Sequence, residues 1–363
     1  MYKINQLMKA LILSGGKGTR LRPLTYTMAK QLVPVANRPI LHYVVDHVVE
    51  AGIKDIGVII APETGDEIKK SLEDRKDWQV EFTYILQHEP LGLAHAVKVG
   101  KDFLGNEPFV LYLGDNLLQE GIKEASSQFL SGGADALIYL KEVENPSAFG
   151  VGILDSEGNI VKLVEKPKKP ISNLALVGVY FFQPIIHEAI KRIKPSWRGE
   201  LEITDAIQEL LNKGRKVKSQ ILNGWWLDTG KKDDILTANT LVLDSYSEYK
   251  IDGKIKGNCQ INGRVSIDKG TLVEDSIIRG PAMIGKNTKI KSSFIGPFTS
   301  IGNDCVIENS VIEHVVILES SIIENIDRLE DSLLGKRVKI IKDHQSPHKA
   351  LRLMIGDDAE VKL

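Results

Sequence analysis

Residues 10–25 read ALILSGGKGTRLRPLT, and residues 30–35 read KQLVPV. The apolar stretch from Ala10 to Leu13 runs directly into a turn that holds three glycines and two arginines. Glycine lets backbone N–H groups approach an anion closely, because no Cβ atom stands in the way. Arginine binds phosphate oxygens through a planar fork of donors. The turn therefore predicts a strand end that cradles a triphosphate.

The spacing of the glycines at 15, 16 and 18 matches neither of two better-known phosphate loops. It is not G-x-G-x-x-G, and no G-x-x-x-x-G-K-[ST] occurs at this turn. A tight connection between a strand and a helix would use glycines in the same way. The turn alone therefore leaves a structural and a phosphate-binding interpretation open.

Composition restricts the class of protein. A chain of 363 residues is long for one core, so two domains are expected. A net charge of −1 gives no electrostatic reason to bind nucleic acid, and no apolar run is long enough to span a membrane. Cys259 and Cys305 are too few for a disulfide framework. Because the first residues also lack the apolar core of a signal peptide, we expect a cytoplasmic enzyme.

The first two thirds of the chain alternate between strand and helix patterns. Repeated units of this length indicate an α/β fold with a mainly parallel sheet and helices on both faces. Ligands of such sheets bind at the carboxyl ends of the strands, where the glycine turn and Asp115 both fall. The predicted strands cover 9–13, 56–60, 82–86 and 109–113, and the predicted helices cover 40–51, 66–72 and 93–103.

The sequence pattern changes after residue 250, where β-branched residues recur at intervals of six and then five. This period predicts a parallel β-helix, although a set of ordinary short strands is the alternative. We expect a first domain over 1–245, a β-helix over 251–345, and a tail over 346–363 that caps the solenoid. The repeated positions are Ile255, Ile261, Ile267, Val273, Ile284, Ile290, Ile295, Ile301, Ile307, Ile312, Ile317 and Ile322.

Two aspartates suit the binding of a divalent metal ion. Asp115 follows a predicted strand in LGDN (113–116), and Asp228 lies in WWLDTG (225–230). Joining two anionic phosphates requires cations, a metal ion and fixed geometry. Mg²⁺ takes oxygen ligands and needs only one or two carboxylates besides phosphates and water. An isolated Gly-Asp is more often a simple turn. Asp115, however, is expected at the same sheet edge as the glycine turn, and this position favours a metal site.

The combined motifs resemble the signature of the sugar-1-phosphate nucleotidylyltransferases over essentially the whole chain. Besides the segments already quoted, the resemblance rests on LQHEPLGLA (86–94), EKP (165–167) and RGELEITD (198–205). It implies a Rossmann-like nucleotidyltransferase domain followed by a left-handed β-helix of hexapeptide repeats. It also implies transfer of a nucleotidyl group to a sugar 1-phosphate by in-line displacement, without a covalent intermediate.

The resemblance also implies roles for individual residues. Asp115 and Asp228 would hold Mg²⁺, Arg20 would neutralise the pyrophosphate, and Lys30 would contact the nucleotide phosphates. Gln87 would pair with a pyrimidine edge, because an amide offers one donor group and one acceptor. The remaining nucleotide-binding residues are Leu13, Gly15, Gly16, Gly18, Thr19, Gln31 near the ribose and Gly92. The sugar-phosphate residues are Asn116, Gly150, Glu165, Lys166, Tyr180, Arg198, Thr204 and Trp226, the last of which could instead be plain core.

The resemblance is strongest to members that use dTTP and glucose 1-phosphate. UTP is the alternative nucleotide, because one methyl contact discriminates by only about 1–3 kcal/mol. Phe149 departs from the pattern of short relatives, which often carry Tyr there, and this leaves the exact sugar open.

Two other classes of function compete. Acyl transfer in the β-helix needs a base, and His314 lies among the repeats, but we expect it to be a structural residue. A non-catalytic regulatory subunit is disfavoured because Arg20, Lys30, Asp115 and Asp228 are all present. We expect the β-helix to be structural and to drive homo-oligomerisation, with a trimer favoured modestly over a tetramer.

Overall fold

A computed structural model describes residues 8–16, 18–342 and 352–362. These residues form two compact units: 8–16 with 41–228, and 18–40 with 229–342 and 352–362. The chain thus passes from the first unit to the second inside the glycine turn, returns to the first after Ile40, and passes to the second again directly after Asp228. None of the helices in the described ranges is long and apolar enough to cross a membrane.

The helices and strands of the first 246 residues follow the predicted alternation closely. The strands are β1 (Lys9–Ser14), β2 (Pro34–Val35), β3 (Arg38–Pro39), β4 (Asp55–Ile60), β5 (Glu81–Leu86), β6 (Phe109–Leu113), β7 (Asn116–Leu118), β8 (Ala136–Glu142), β9 (Gly150–Leu154), β10 (Ile160–Glu165), β11 (Leu174–Phe182), β12 (Val217–Ile221) and β13 (Trp226–Asp228). The helices are α1 (Ile40–Glu50), α2 (Gly65–Glu73), α3 (Leu93–Val99), α4 (Lys101–Leu104), α5 (Lys123–Ser131), α6 (Ile186–Arg192), α7 (Ile203–Asn212) and α8 (Lys232–Tyr246). Short 3-10 helices lie at Thr19–Leu21, Leu24–Tyr26, Lys30–Leu32 and Pro146–Ala148.

The main sheet of the first unit has the strand order β10-β9-β11-β6-β1-β4-β5, and β8 pairs with β11 and β12. β1 lies parallel to β4 and β6, and β5 lies parallel to β4. β11 runs antiparallel to β6, so the sheet is parallel on one side and mixed on the other. The apolar run of Ala10, Leu11 and Ile12 is fully buried, as a central strand covered on both faces requires. The predicted α/β class is confirmed.

The predicted helix over 93–103 is wrong in one respect, since Gly100 divides it into α3 and α4. A Cβ atom at Gly100 would lie 3.2 Å from both terminal methyl groups of Leu11 on the central strand. The close approach of the helix backbone to the sheet therefore favours glycine at this point. Glycine in turn weakens a helix because it loses the most backbone entropy on folding.

Residues after 249 form a parallel β-helix with three columns of short strands. Ile267, Ile284, Ile301, Ile317 and Leu334 are paired in succession along one column, and all are buried. The architecture agrees with the predicted left-handed β-helix. The strands are β14 (Lys250–Ile251), β15 (Lys254–Lys256), β16 (Gln260–Asn262), β17 (Val265–Ile267), β18 (Leu272–Glu274), β19 (Ile277–Arg279), β20 (Ala282–Ile284), β21 (Lys289–Lys291), β22 (Phe294–Ile295), β23 (Thr299–Ile301), β24 (Val306–Glu308), β25 (Val311–Ile317), β26 (Ile322–Glu324), β27 (Leu329–Leu334), β28 (Lys339–Ile341), β29 (Met354–Ile355) and β30 (Glu360–Lys362).

Stacked hydroxyl groups satisfy the backbone at the corners of the β-helix. The Ser276 Oγ atom accepts from the Ser293 amide at 3.0 Å, and the Ser293 Oγ atom accepts from the Ser310 amide at 3.2 Å. Thr271 and Thr288 repeat the arrangement at another corner. Buried backbone groups that lack a partner cost free energy, so these ladders fix the coils in register.

The periodic pattern fails at both ends of the solenoid. Ile255 is 39% exposed, because the first coil has a neighbour on one side only. At the other end the buried position is Ile323, whereas Ile322 is only half-buried. The five-residue spacing extrapolated from Ile312 and Ile317 is therefore wrong by one residue.

The C-terminal tail adds a coil to the solenoid. β29 pairs with β27 and β30 pairs with β28, both in parallel. The expected tail begins at 346, but residues 346–351 and 363 lie outside the described residues. α8 and residues 18–40 belong to the same compact unit as the β-helix, while the predicted domain boundaries stay a prediction.

Candidate active site

The carboxyl ends of β1 and β6 form one corner of the first unit. The Gly114 amide donates to the Leu13 carbonyl oxygen at 2.9 Å, which brings the glycine turn and Asp115 to the same sheet edge. The Ser14 hydroxyl between them is fully buried, and within the described part of the chain it has no hydrogen-bond partner. An unpaired buried hydroxyl next to a glycine turn is typical of a site that receives a polar ligand.

Gln87 lies beside the glycine turn and is oriented by a histidine. Its Oε1 atom is 3.7 Å from the position that a Cβ atom would take on Gly15. Its Nε2 atom donates to His95 Nδ1 at 2.9 Å. The pKa of His95 is lowered, chiefly by burial and further by Lys98, so the ring stays neutral and can accept this bond. The amide therefore presents one fixed edge.

Gly92 lies where no other residue fits. Its φ angle is +104°, and a Cβ atom there would collide with the backbone of Leu201. The Leu201 amide donates to the Leu91 carbonyl at 2.7 Å, and the Ala94 amide donates to the Leu201 carbonyl at 3.0 Å. The start of α3, expected on the nucleotide side, is thus joined to the segment 198–205, expected on the sugar side.

A two-stranded ribbon brings the two aspartates to neighbouring positions. β13 runs antiparallel to β7, with Asp228 directly opposite Asn116. Residues opposite each other in such a ribbon have Cα atoms about 4.5–5.5 Å apart. The Asn116 Nδ2 atom donates to Asp115 Oδ1 at 3.0 Å, and its Oδ1 atom accepts from Trp226 Nε1 at 2.7 Å. The ribbon therefore places Asp115 one residue away from the position that faces Asp228.

The donor set of this ribbon fits a magnesium ion. The two carboxylates at the glycine turn's edge of the sheet match the preference of Mg²⁺ for one or two protein oxygens besides phosphates and water. Among the described residues no group of three or more His, Cys, Asp or Glu side chains could hold a metal by itself. A metal ion at the ribbon would therefore depend on the substrate for its other ligands.

In the second unit, the segment after the turn folds back on itself. Gly18 has a φ angle of +61°, and a Cβ atom there would lie 2.7 Å from the Cβ atom of Lys30. The Thr25 hydroxyl donates to the Gly18 carbonyl at 2.6 Å. Lys30, twelve residues further along the chain, therefore lies against Gly18. Thr19 and Arg20 follow Gly18 in a 3-10 helix.

Gln31 and Arg20 have different surroundings in that segment. Gln31 is 2% exposed, and its Oε1 atom has no partner among the described residues. Arg20 is exposed, and its charge stabilises the ionised form of Asp234 in the first turn of α8. Burial nevertheless raises the pKa of Asp234 overall.

Glu165 is the centre of a polar cluster that we call the carboxylate cluster. Its Oε2 atom accepts from the Thr204 hydroxyl at 2.6 Å, and its Oε1 atom lies 3.7 Å from Arg198 Nη1 and 3.8 Å from Lys166 Nζ. A Cβ atom on Gly150 would lie 2.8 Å from the Thr204 hydroxyl, so a larger residue would displace the cluster. The structure thus brings together Gly150, Glu165, Lys166, Arg198 and Thr204.

Arg198 is already paired with carboxylates. It donates to Glu200 at 2.7 Å and to Glu202 at 3.3 Å, besides its contact with Glu165. An incoming phosphate would therefore compete with these glutamates for the guanidinium group. Burial raises the pKa of Glu202, although its bond from Ser196 opposes this.

Tyr180 is 4% exposed, as a residue of a central strand should be. Burial raises the pKa of its phenol, and the charges of Glu165 and Glu202 add to this effect. Tyr180 is therefore a neutral hydroxyl under all ordinary conditions.

Trp226 joins the ribbon to an aromatic contact. Its ring centroid lies 5.1 Å from that of Phe149, next to Gly150. A Cβ atom on Gly178 of β11 would lie 2.7 Å from the Asn116 Oδ1 atom, so glycine leaves room for the ribbon. Trp226 is half-buried and has a specific hydrogen bond, which distinguishes it from a fully buried core residue.

Sequence reasoning missed His95, Ser14, Gly178 and Lys141. Lys141 donates to the carbonyl oxygens of Leu222, Asn223 and Gly224 and so fixes the approach to the ribbon. The sequence could have indicated His95, because it lies in the first turn of the helix that follows Gly92. The other contacts join residues that are far apart in sequence and carry no local pattern.

The model of one known family matches most of this chain. The family model for nucleotidyl transferases matches residues 9–245, which include the glycine turn, Gln87, the carboxylate cluster and both aspartates. The chain belongs to the nucleotidyl transferase family. The predicted class of enzyme is therefore confirmed.

Several curated relatives match along nearly the whole chain. The glucose-1-phosphate thymidylyltransferase of Streptomyces griseus is 44% identical, over 98% of this chain and 99% of the relative. A protein of the same name from Streptomyces antibioticus is 46% identical over the same shares. The low-salt glycan biosynthesis nucleotidyltransferase Agl11 of Haloferax volcanii is 47% identical, over 98% of this chain and 100% of the relative.

A solved structure also matches part of this chain. A crystal structure described as a glucose-1-phosphate thymidylyltransferase from Bacillus anthracis is 35% identical, with a TM-score of 0.61. The match covers 64% of this chain and 94% of that protein. The two Streptomyces relatives extend across the β-helix as well, so the predicted resemblance of the whole chain, with its C-terminal β-helix, is confirmed.

Proposed function

We propose that the protein transfers a thymidylyl group from dTTP to α-D-glucose 1-phosphate, giving dTDP-glucose and pyrophosphate for activated-sugar biosynthesis. The observation that carries the proposal is the ribbon that sets Asp228 opposite Asn116, next to Asp115, in a member of the nucleotidyl transferase family. The names of the long relatives support the choice of substrates.

The ribbon would hold the metal ion. Asp115 and Asp228 would bind Mg²⁺, which supplies positive charge to the phosphates when bound. Asn116 donates to Asp115 and accepts from Trp226, so it holds the Asp115 carboxylate in one orientation. A carboxylate held in advance costs no reorganisation during the reaction.

Cations of the segment 18–40 would neutralise the triphosphate. Lys30 would contact the nucleotide phosphates, and Arg20 would stabilise the pyrophosphate leaving group. The contact of Gly18 with Lys30 supports this role for the lysine, because it keeps the ammonium stem at the glycine turn. The sugar phosphate oxygen then attacks the α-phosphorus in line with the departing pyrophosphate.

The amide of Gln87 would recognise the pyrimidine. Because His95 accepts from Nε2, the Oε1 atom is left to accept from the N3–H group of thymine or uracil, on the side of Gly15. The backbone at Gly92 would complete the recognition. This edge is common to dTTP and UTP, so the amide alone does not separate them.

The carboxylate cluster would bind the sugar. The Glu165 carboxylate would accept from sugar hydroxyls, and Lys166 and Arg198 would supply charge for the sugar phosphate. Thr204, Tyr180, Gly150 and Trp226 would form the wall of the pocket. The bond from Thr204 and the contacts with Arg198 and Lys166 support a carboxylate that is fixed in one orientation.

A second activity in the β-helix has less support. The bifunctional protein GlmU of Methanocaldococcus jannaschii is 36% identical over 85% of this chain and 75% of its own length. The histidine expected to be structural, His314, has both ring nitrogens engaged: Nδ1 with Asp331 at 2.5 Å and Nε2 with Thr240 at 3.0 Å. Because both ring nitrogens already bond to side chains of this chain, the geometry supports a structural role for His314.

The test of the proposed function is a panel of nucleotides and sugar phosphates. Release of pyrophosphate is measured for dTTP, UTP, CTP, ATP and GTP, each with glucose 1-phosphate, galactose 1-phosphate and N-acetylglucosamine 1-phosphate. We expect the highest kcat/KM for dTTP with glucose 1-phosphate in the presence of Mg²⁺. A preference for UTP, or for another sugar, would overturn the assignment. Acetyl-CoA turnover in the same samples tests the second activity.

The oligomeric state belongs to the same proposal. We propose a homo-oligomer assembled through the β-helix, with a trimer favoured over a tetramer. Sedimentation equilibrium of the full chain distinguishes the two masses.

A further inference from the structure

A strained turn follows the lysine of the triphosphate segment. β2 and β3 form a hairpin whose two turn residues, Ala36 and Asn37, have φ angles of 47° and 58°. Asparagine tolerates this left-handed region, but an alanine there is uncommon and costs free energy. Such a conformation persists only where the surroundings impose it.

The β-helix and α8 supply those surroundings within the second unit. The Ala36 amide donates to Asn239 Oδ1 at 2.9 Å, and the Asn37 side chain donates to the Ile301 carbonyl at 2.7 Å. Asn239 lies on α8 and is fully buried. Its Nδ2 atom donates to the Phe298 carbonyl at 2.9 Å, and its Oδ1 atom also accepts from Ser300 at 2.7 Å.

Asn239 therefore joins three parts of the second unit: α8, the β2–β3 hairpin and the β-helix. Each of its polar contacts goes to a different partner, and two of the partners belong to one coil of the β-helix. A buried amide with all these bonds fixes the turn much more precisely than an apolar contact would, because each bond is directional.

A second attachment joins the segment to the last coil of the solenoid. The Thr27 hydroxyl donates to Asp357 Oδ2 at 2.8 Å. The other oxygen of Asp357 accepts from the Lys336 amide at 2.7 Å, so the carboxylate is itself held by the β-helix. A Cβ atom on Gly356 would lie 3.0 Å from the Pro23 side chain, so the two chains are in close contact.

The two attachments bracket the residues expected to neutralise the triphosphate. Lys30 and Gln31 lie between Thr27 and Ala36, and Arg20 precedes Pro23. We propose that Asn239 and Asp357 are positioning residues for nucleotidyl transfer, through which the β-helix fixes the cations of segment 18–40. This proposal rests on the proposed function, and it gives the β-helix a part in the reaction that the sequence analysis did not expect.

The expected effect falls on the chemical step with the nucleotide. A displacement of about 1 Å in a positioned group can lower a rate by roughly a hundredfold. For Asn239→Leu, which removes every bond of the junction, we expect kcat to fall by roughly tenfold to a hundredfold. For Asp357→Ala we expect a smaller fall of roughly threefold to tenfold, because the variant loses the bond to Thr27 and the bond from the Lys336 amide but leaves the Asn239 junction intact. KM for glucose 1-phosphate should stay unchanged in both, because Glu165, Lys166 and Arg198 belong to the other unit.

Matched controls separate positioning from simple loss of stability. Asp358→Ala removes the neighbouring carboxylate, which pairs with Arg337 and does not contact segment 18–40. Thr271→Val removes a fully buried β-helix hydroxyl that makes bonds to Gly285 and Thr288. We expect both controls to lower the melting temperature or leave it unchanged, with kcat and both KM values as in the wild type.

A readout independent of activity is amide hydrogen exchange of peptides within 18–40. Asn239→Leu and Asp357→Ala should raise exchange there, whereas the controls should not. Thr27→Val combined with Asp357→Ala should be non-additive in kcat, since both remove the same bond. Because Thr27 is exposed and Asp357 is only half-buried, this pair keeps the test decisive if Asn239→Leu does not fold.

The proposal is overturned if the Asp357 and Thr27 variants keep wild-type kcat. It is also overturned if kcat falls as much in the control variants as in the Asp357 and Thr27 variants. It is also overturned if exchange within 18–40 is unchanged in every variant. A wild-type protein that is inactive with every combination of nucleotide and sugar phosphate would refute the proposed function instead. In that case exchange would still report whether the attachments exist.

Discussion

The carboxylate cluster and the nucleotide-side groups differ in how far their polar atoms are satisfied. Glu165, Thr204 and Arg198 bond to one another and to their neighbours. By contrast, the buried Ser14 hydroxyl and the Gln31 carbonyl oxygen have no partner within the described residues. If both groups bind the proposed substrates, they are built in two ways: one network is complete before ligand binds, and the other would be completed by its ligand.

These two arrangements respond differently to mutation. A group in a complete network also holds its neighbours, so its loss spreads to several residues. A group that waits for a ligand affects mainly the affinity for that ligand. The ribbon with Asp115 and Asp228 combines both features, because Asn116 holds one carboxylate in advance while metal and substrate would complete the rest.

The largest effect is expected at the ribbon. Asp115→Asn and Asp228→Asn should each lower kcat by roughly a thousandfold or more, because both the charge and a metal ligand are lost. The measurement is pyrophosphate release with saturating dTTP and Mg²⁺. Near-normal turnover in either variant would contradict the metal assignment. Asp252→Asn, which removes a carboxylate paired with Lys250, is the control and should be fully active.

The next largest effect tests the completed network. Glu165→Gln keeps an acceptor for Thr204 but removes the charge that faces Arg198 and Lys166. Loss of charge-assisted bonds costs about 1.5–3 kcal/mol. We expect KM for glucose 1-phosphate to rise by roughly tenfold or more, with KM for dTTP little changed. Glu200→Gln also removes a partner of Arg198 and should have the smaller effect, and equal effects would mean that Glu165 only balances charge.

A smaller effect is expected on the nucleotide side, where Gln87 is bonded to His95 and its Oε1 atom is proposed to contact the base. Gln87→Ala should weaken dTTP binding by about 1–2 kcal/mol, which is roughly five- to thirtyfold. It should also reduce the preference for pyrimidine over purine nucleotides, without changing affinity for the sugar phosphate. Equilibrium binding of dTTP by calorimetry is the measurement. Unaltered affinity would show that Gln87 does not contact the base.

The smallest effect concerns pH. Because burial lowers the pKa of His95 below its ordinary value, the neutral ring persists as pH falls through the range where a free imidazole is protonated. Its contribution to folding is therefore present above the ordinary value of about 6.5 and is lost progressively below it. Once protonated, Nδ1 can no longer accept from Gln87.

We therefore expect base selectivity to be constant near neutral pH and to decline by a few-fold only in acid. His95→Phe should remove this pH dependence and show the lower selectivity at every pH. Selectivity is measured as the ratio of kcat/KM for dTTP and ATP between pH 5 and pH 8. A wild-type ratio that does not change in acid would contradict the role of the ring.

The sequence predicts the parts of this molecule that are encoded locally. A glycine turn after an apolar strand, Asp115 after β6 and the six-residue period all reflect the geometry of neighbouring residues. The one-residue slip at Ile323 and the break at Gly100 arise from packing against β-helix coils or against Leu11, which no local pattern records. The same holds for His95 with Gln87 and for Asn239 with Ala36, since each pair requires the tertiary fold.

The bond between Thr27 and Asp357 also has a consequence for biosynthesis. Its two residues are 330 positions apart, so the segment that holds Thr27 is translated long before the partner that fixes it. At about 5–20 residues per second, roughly 15–65 s separate the synthesis of the two. Residues 18–40 leave the ribosome long before the coil that holds them exists. A nascent chain can thus complete its α/β sheet early, while segment 18–40 is fastened only after the coil that carries Asp357 has been made.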